Sequence, residues 1–134
     1  MFRLLVATVA VVLFFVSNVD ARPRHRNHDS GTIVSHPAGC PARAFCGCGA
    51  ALEVFGRHVR SLWLAANWFK FPRTSPAPGM VAVRKHHVFV IRQVVGQNTV
   101  LAYDANSGGR KTRLHVRSLS GFTVVNPHGG RYAS

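Results

Sequence analysis

The sequence predicts an α+β chain, with two short helices in the N-terminal half packed on a C-terminal antiparallel sheet of about five strands. Three observations predict it. After Cys46 the apolar residues Ala50, Ala51, Val54 and Phe55 recur at helical spacing and stop at Gly56, a residue suited to a helix C-cap. Ser61 is a suitable N-cap for a second helix running to Asn67 or Trp68, with Leu62, Ala65 and Ala66 on one face. Beyond Gly79 the chain divides into runs rich in β-branched and aromatic residues: Met80 to Val83, His87 to Gln93, Thr99 to Tyr103, Thr112 to Val116 and Phe122 to Val125.

The segments around these elements follow from composition. Arg3, an apolar run from Leu4 to Val16 and the small residues of Val19-Asp20-Ala21 make residues 1–21 an expected signal peptide cut after Ala21. The apolar run is too short to span the ~30 Å of a bilayer core. Residues 22–35 are basic and polar without apolar periodicity, which predicts a flexible arm. The folded domain is expected over 36–127, entered near Ile33 or His36 through the turn residues His36-Pro37-Ala38-Gly39-Cys40-Pro41, and followed by a frayed tail over 128–134. Pro72, Pro76 and Pro78 end the helical half. Gly47 and Gly49 disfavour a helix by up to ~1 kcal/mol each, so something must come close to the backbone there, either a substrate or the packed sheet.

Seventeen Lys and Arg against four Asp and Glu give a net charge of +13, so the surface attracts polyanions. No motif for sequence-specific nucleic-acid recognition is present. For an exported, periplasmic or extracellular protein, the accessible polyanions are cell-wall polymers, peptide carboxylates and anionic lipid. Three cysteines in an oxidising compartment allow one internal disulfide and leave one thiol over.

That thiol suggests chemistry. Cys46 opens the first helix, where unpaired backbone N–H groups and the helix dipole favour a thiolate and a stronger nucleophile. His86 and His87 lie on a predicted strand and point to opposite faces, so one of them can serve as base. His87 precedes the apolar run and is the better choice. A hairpin then returns either Asn106 or Asp104 to His87: a loop at Gly96-Gln97 pairs His87 with Asn106, whereas a loop at Val95-Gly96 pairs it with Asp104. The remaining histidines, at 25, 28, 36, 58, 115 and 128, read as surface or packing residues. Trp63 and Trp68 read as core and cleft-wall aromatics.

The order Cys, then His on a strand, then a polar residue resembles papain-like thiol hydrolases. Phe45-Cys46-Gly47, then Leu62 to Trp68, Pro78-Gly79-Met80-Val81-Ala82-Val83, His87-Val88 and Asn106 is similar to the CHAP and NlpC-type cell-wall hydrolases, over roughly residues 40 to 127. The resemblance implies a papain-like domain and a small exported bacterial amidase or endopeptidase of peptidoglycan peptides. It implies Cys46 as nucleophile, His87 as base and Asn106 as orienting residue, with Asp104 as the alternative. Gly47, Trp68 and His86 would line the substrate cleft, and His86 stands where the family carries a glycine. A Cys40–Cys48 disulfide would leave Cys46 free; a Cys40–Cys46 pair would silence the enzyme. No cofactor or metal is expected, and the partner would be peptidoglycan or another anionic wall polymer, with transient contact to anionic membrane, for a monomeric protein.

Two other readings stay open. The chain could be a non-catalytic cationic module that binds wall polymer, lipid or nucleic acid by charge alone, losing its ligand in salt. Alternatively, His36, Cys40, Cys46 and Cys48 could form a structural zinc site, although Cys-Gly-Cys is tighter than the usual ligand spacing.

Overall fold

Val81, Val83, Val88 and Val90 alternate with Ala82, Phe89 and Ile91 along two adjacent strands, and all seven are buried, so the centre of the sheet is covered on both faces. The computed structural model describes residues 31–130. The expected signal peptide, residues 22–30 of the expected arm and residues 131–134 of the expected tail lie outside this range.

The sheet contains β1 (Thr32–Val34), β2 (Val81–Arg84), β3 (His87–Gly96), β4 (Thr99–Asp104), β5 (Thr112–Ser118) and β6 (Thr123–Val125). Its spatial order is β1-β5-β4-β3-β2-β6, with every neighbouring pair antiparallel. The one α-helix among the described residues, α1 (Cys46–Phe55), lies on one face. Its Ala50 and Ala51, with Leu62, Ala65, Trp68 and Phe71, pack on Val81, Val83, Val88, Val90 and Val125. The opposite face carries a smaller apolar cluster of Ala82, Phe89, Ile91, Val100, Ala102 and Leu119, flanked by Phe122.

The expectation of two helices on about five strands is therefore corrected to one helix on six strands. The stretch after Ser61 forms two 3-10 segments, Arg60–Leu62 and Ala65–Lys70, separated by an extended Leu64. The reason lies in two carbonyls. The Asn67 side chain donates to Ser61 O at 2.6 Å and the Trp68 indole to Leu62 O at 2.8 Å, so acceptors that an α-helix would pair four residues on are taken by side chains. The sixth strand, β1, falls in the stretch read as a flexible arm. Three residues too short to show a period pair with β5, Ile33 lying opposite Arg113.

The β3–β4 hairpin turns at Gln97-Asn98, between the paired Gly96 and Thr99, which is neither of the expected loops. Two irregularities in the ladder then shift its register, so that Val90 faces Tyr103 at the far end. Continued past that pair, the ladder would set Asn106 opposite His87. Instead, β4 ends at Asp104, and Asn106 adopts a left-handed backbone at φ 57°.

α1 begins without a side-chain cap and ends at Gly56, whose left-handed backbone (φ 66°) lets its N–H bond Leu52 O. Gly47 fixes where the helix sits: a Cβ there would stand 2.2 Å from Leu62 O and 2.4 Å from Trp63 O. Packed backbone, not substrate, is what approaches this glycine. Gly47→Ala must push α1 off the 62–63 segment and should lower stability by about 2–4 kcal/mol in equilibrium urea unfolding. A loss below ~0.5 kcal/mol would mean that the segment moves aside freely.

Candidate active site

The start of β3 and the ends of β2 and β4 bring a cluster of polar side chains to one end of the sheet. Arg84 pairs with His87 across β2 and β3, so both point to the face opposite α1, as do Asp104 on β4 and His115 and Arg117 on β5. Asp104 is fully buried and accepts three hydrogen bonds: from His87 Nε2 at 2.6 Å, from His115 Nε2 at 2.7 Å and from Arg117 Nη1 at 2.6 Å. Diagonal neighbours across antiparallel strands are close enough for a ring and a carboxylate to meet, which is how Asp104 reaches His87 from two residues before the position the ladder sets opposite.

The electrostatics of the pair follow from this geometry. Burial pulls the His87 pKa down, but hydrogen bonds to Asp104 and Cys46, and the charge of each, outweigh it and raise the pKa from 6.5 to about 9. Burial likewise pushes Asp104 up, and the bond and charge of His87, the bond of His115 and the charge of Arg117 overcome it and hold the carboxyl below its ordinary value. His87 is thus an imidazolium at neutral pH. With Nε2 committed to Asp104, Nδ1 is the ring nitrogen left to face Cys46.

Cys46 occupies the first position of α1, is 6% exposed, and is the free cysteine. Cys40 and Cys48 form a disulfide, with Cα atoms 5.8 Å apart. This arrangement leaves the Cys46 thiol unpaired, and it precludes a four-ligand zinc site from His36, Cys40, Cys46 and Cys48. The ligand-type group that does converge among the described residues is Cys40, Cys48 and His58, two of which are locked as disulfide sulfurs. His36 instead donates to Cys40 O at 3.0 Å and packs edge-on against Phe45.

Over Cys46 lies a pocket of about 210 Å³, whose walls include Ala44, Trp63, Lys85, His86 and Asn106. Ala44 (φ 49°) and Asn106 (φ 57°) are two of three non-glycine residues with left-handed backbones among the described residues, so strain gathers at this site. His86 is exposed in the β2–β3 turn and borders the thiol pocket, while His87 is buried against Asp104. Asn106, the first choice as orienting residue, lines the pocket and makes no bond to His87; that contact belongs to Asp104. Gly47 and Trp68, expected in the cleft, are buried in packing, Trp68 with 0% exposure, and Trp63 forms the cleft wall. His115 and Arg117, read as surface or packing residues or not singled out at all, are partners of the site. Their spacing of two, on a strand after Asp104, was the available signal.

No family model matches the chain, and neither a curated protein nor a solved structure matches it. The site must be read from its own chemistry. A free thiol beside an imidazolium, itself fixed by a buried carboxylate, is the equipment of nucleophilic acyl transfer.

Because the folded pKa of His87 lies above 6.5, the charged ring stabilises the fold fully below pH 6.5, and this contribution is lost as pH rises through about 9. An NMR titration of the His87 ring should give a midpoint near 9. Asp104→Asn should lower that midpoint by at least about one pH unit. A wild-type midpoint at the ordinary histidine value would contradict the assigned pairing.

Proposed function

We propose that this chain is an exported thiol-dependent amidase or endopeptidase that cleaves amide bonds in peptidoglycan peptides. The observation that carries the reading is the free Cys46 at a helix start, opening to a pocket, beside a histidine held by buried Asp104. The substrate class comes from the resemblance in motif order to cell-wall hydrolases and from the +13 charge, which would hold the protein on an anionic wall.

In this mechanism the proton shared by Cys46 and His87 rests on His87 Nδ1, and the sulfur attacks the amide carbon as a thiolate to give a tetrahedral oxyanion. The Cys46 backbone N–H, unpaired at the start of α1, donates to that oxygen. Collapse of the intermediate breaks the C–N bond, and His87 passes its proton to the departing amine. Water then attacks the thioester, giving one proton to His87, and the C–S bond breaks to release the carboxylic acid and leave the Cys46 thiolate beside protonated His87, as at the start. Asp104 keeps the ring in one orientation and stabilises its charge throughout. Asn106, at the pocket wall, contacts the substrate and does not orient the base.

Purified peptidoglycan provides the test, followed by loss of turbidity and release of amines under mild reduction. Wild-type protein should clear it, and Cys46→Ala should bind but release nothing measurable. Asp104→Asn should slow turnover by on the order of 10²–10⁴-fold, and Asn106→Ala by clearly less. Salt-sensitive binding without amine release by the wild type would overturn the hydrolase reading in favour of a cationic binding module.

A further inference from the structure

A second pocket, of about 260 Å³, lies on the other side of His87 and is lined by Arg84, His87, Asn106, Ser107, Gly108 and Arg117. Asn106 borders both this pocket and the one over Cys46, so the two adjoin at that residue. The second pocket is built for charge. The guanidinium carbons of Arg84 and Arg117 lie 4.9 Å and 5.1 Å from the centre of the Phe122 ring, and that of Arg117 lies 4.7 Å from the centre of Phe89. The ring contacts restrain both guanidinium groups, leaving the N–H groups of Arg84 and those of Arg117 not used by Asp104 for an oxygen ligand. Arg113 braces the rim, its Nη1 donating to Gly108 O at 2.8 Å and to Ser107 Oγ at 3.0 Å.

The charges do not balance. The described residues hold two carboxylate side chains: Glu53 is paired with Arg92, and Asp104 is shared among His87, His115 and Arg117. Among these residues Arg84 has no carboxylate partner. The pocket therefore presents fixed positive charge at the surface, beside the proton-carrying residue, where an oxyanion can accept charge-assisted hydrogen bonds.

We propose that this pocket is a substrate subsite, in which Arg84 and Arg117 grip a side-chain carboxylate of a peptide whose amide bond lies over Cys46. The proposal rests on the thiol-hydrolase reading and names its substrate class: acidic peptides, with the carboxylate and the scissile bond on either side of Asn106. Arg84 acts as a specificity residue. Arg117 has a double task, since it also holds Asp104, so Arg84 is the cleaner residue to change. An unattached oxyanion such as inorganic phosphate has the same chemistry, and the experiment separates the two sources.

Binding is measured by NMR on full-chain Cys46→Ala protein, which cannot turn over, with acetyl-Ala-Glu-amide, its Gln counterpart and inorganic phosphate as probes. The Glu peptide should bind at least about 10-fold more tightly than the Gln peptide at low salt. Adding Arg84→Gln should reduce that preference to within about 2-fold, and Arg84→Lys should keep part of it. Equal binding of the two peptides overturns the subsite, even if the wild type hydrolyses them, and so does a site that takes phosphate without preferring the Glu peptide. A preference that depends on Arg84 supports the subsite even if the wild type cleaves neither peptide, an outcome that would remove the hydrolase reading and not the anion pocket.

Discussion

A single buried carboxylate organises this end of the molecule. Removing an ion such as that of Asp104 from water costs several kcal/mol even after relaxation, and only close, well-formed partners offset it. The two strands that flank β4 supply them: β3 through His87, and β5 through both His115 and Arg117. Any slip of one residue between β3, β4 and β5 would turn a cation to the wrong face and leave the carboxylate uncompensated. The pairing thus specifies register and, through it, gives His87 a fixed orientation and a charge that a solvent-exposed histidine would lose near neutral pH.

The helix is brought to that histidine by its own first turn, where alternate residues of Cys46-Gly47-Cys48-Gly49 do different work. Gly47 admits the carbonyls of Leu62 and Trp63, and a Cβ on Gly49 would stand 2.4 Å from the Cβ of Ala105. Ala105 lies between Asp104 and Asn106, so the second glycine seats α1 directly on the turn that carries both polar residues. Cys48 ties the same turn back to Cys40. Closing that short loop reduces the freedom of the Ala44 region in the unfolded chain and helps the folded one hold a left-handed alanine two residues before the thiol. The cost in helix propensity of two glycines is small beside the packing that places the Cys46 thiol.

Much of this was legible in the residues and some was not, for physical reasons. Strands β2 to β6 announce themselves because Val, Ile, Phe and Thr cluster between glycine and asparagine breaks. Cys46 and His87 stand out because a helix start and the edge of an apolar run are local features. The segment from Arg60 to Lys70 misleads because its apolar spacing suits an α-helix equally well, and only the folded positions of Asn67 and Trp68 show that side chains have taken its carbonyls. Register alone does not choose between Asp104 and Asn106: the twice-shifted ladder would set Asn106 opposite His87, yet β4 ends at Asp104, Asn106 turns left-handed, and the diagonal carboxylate makes the contact. His115 and Arg117 are non-local by nature: nothing within β5 says that a carboxylate waits on β4.

The burial pattern also bears on whether charge alone is the purpose of this chain. A protein that only adheres to polyanions gains from exposed lysines and arginines, and does not need to bury a carboxylate among cations, where it weakens the external field and costs desolvation. Here one of the two carboxylates among the described residues is spent in that way, at the single place where a histidine, a free thiol and two strained backbones converge. An expensive buried ion beside a cleft is what tuning a proton carrier requires. A basic surface supplies attraction at a distance; the Asp104 network supplies a defined protonation state at one ring, which the proposed thiol hydrolase would use and adhesion alone would not.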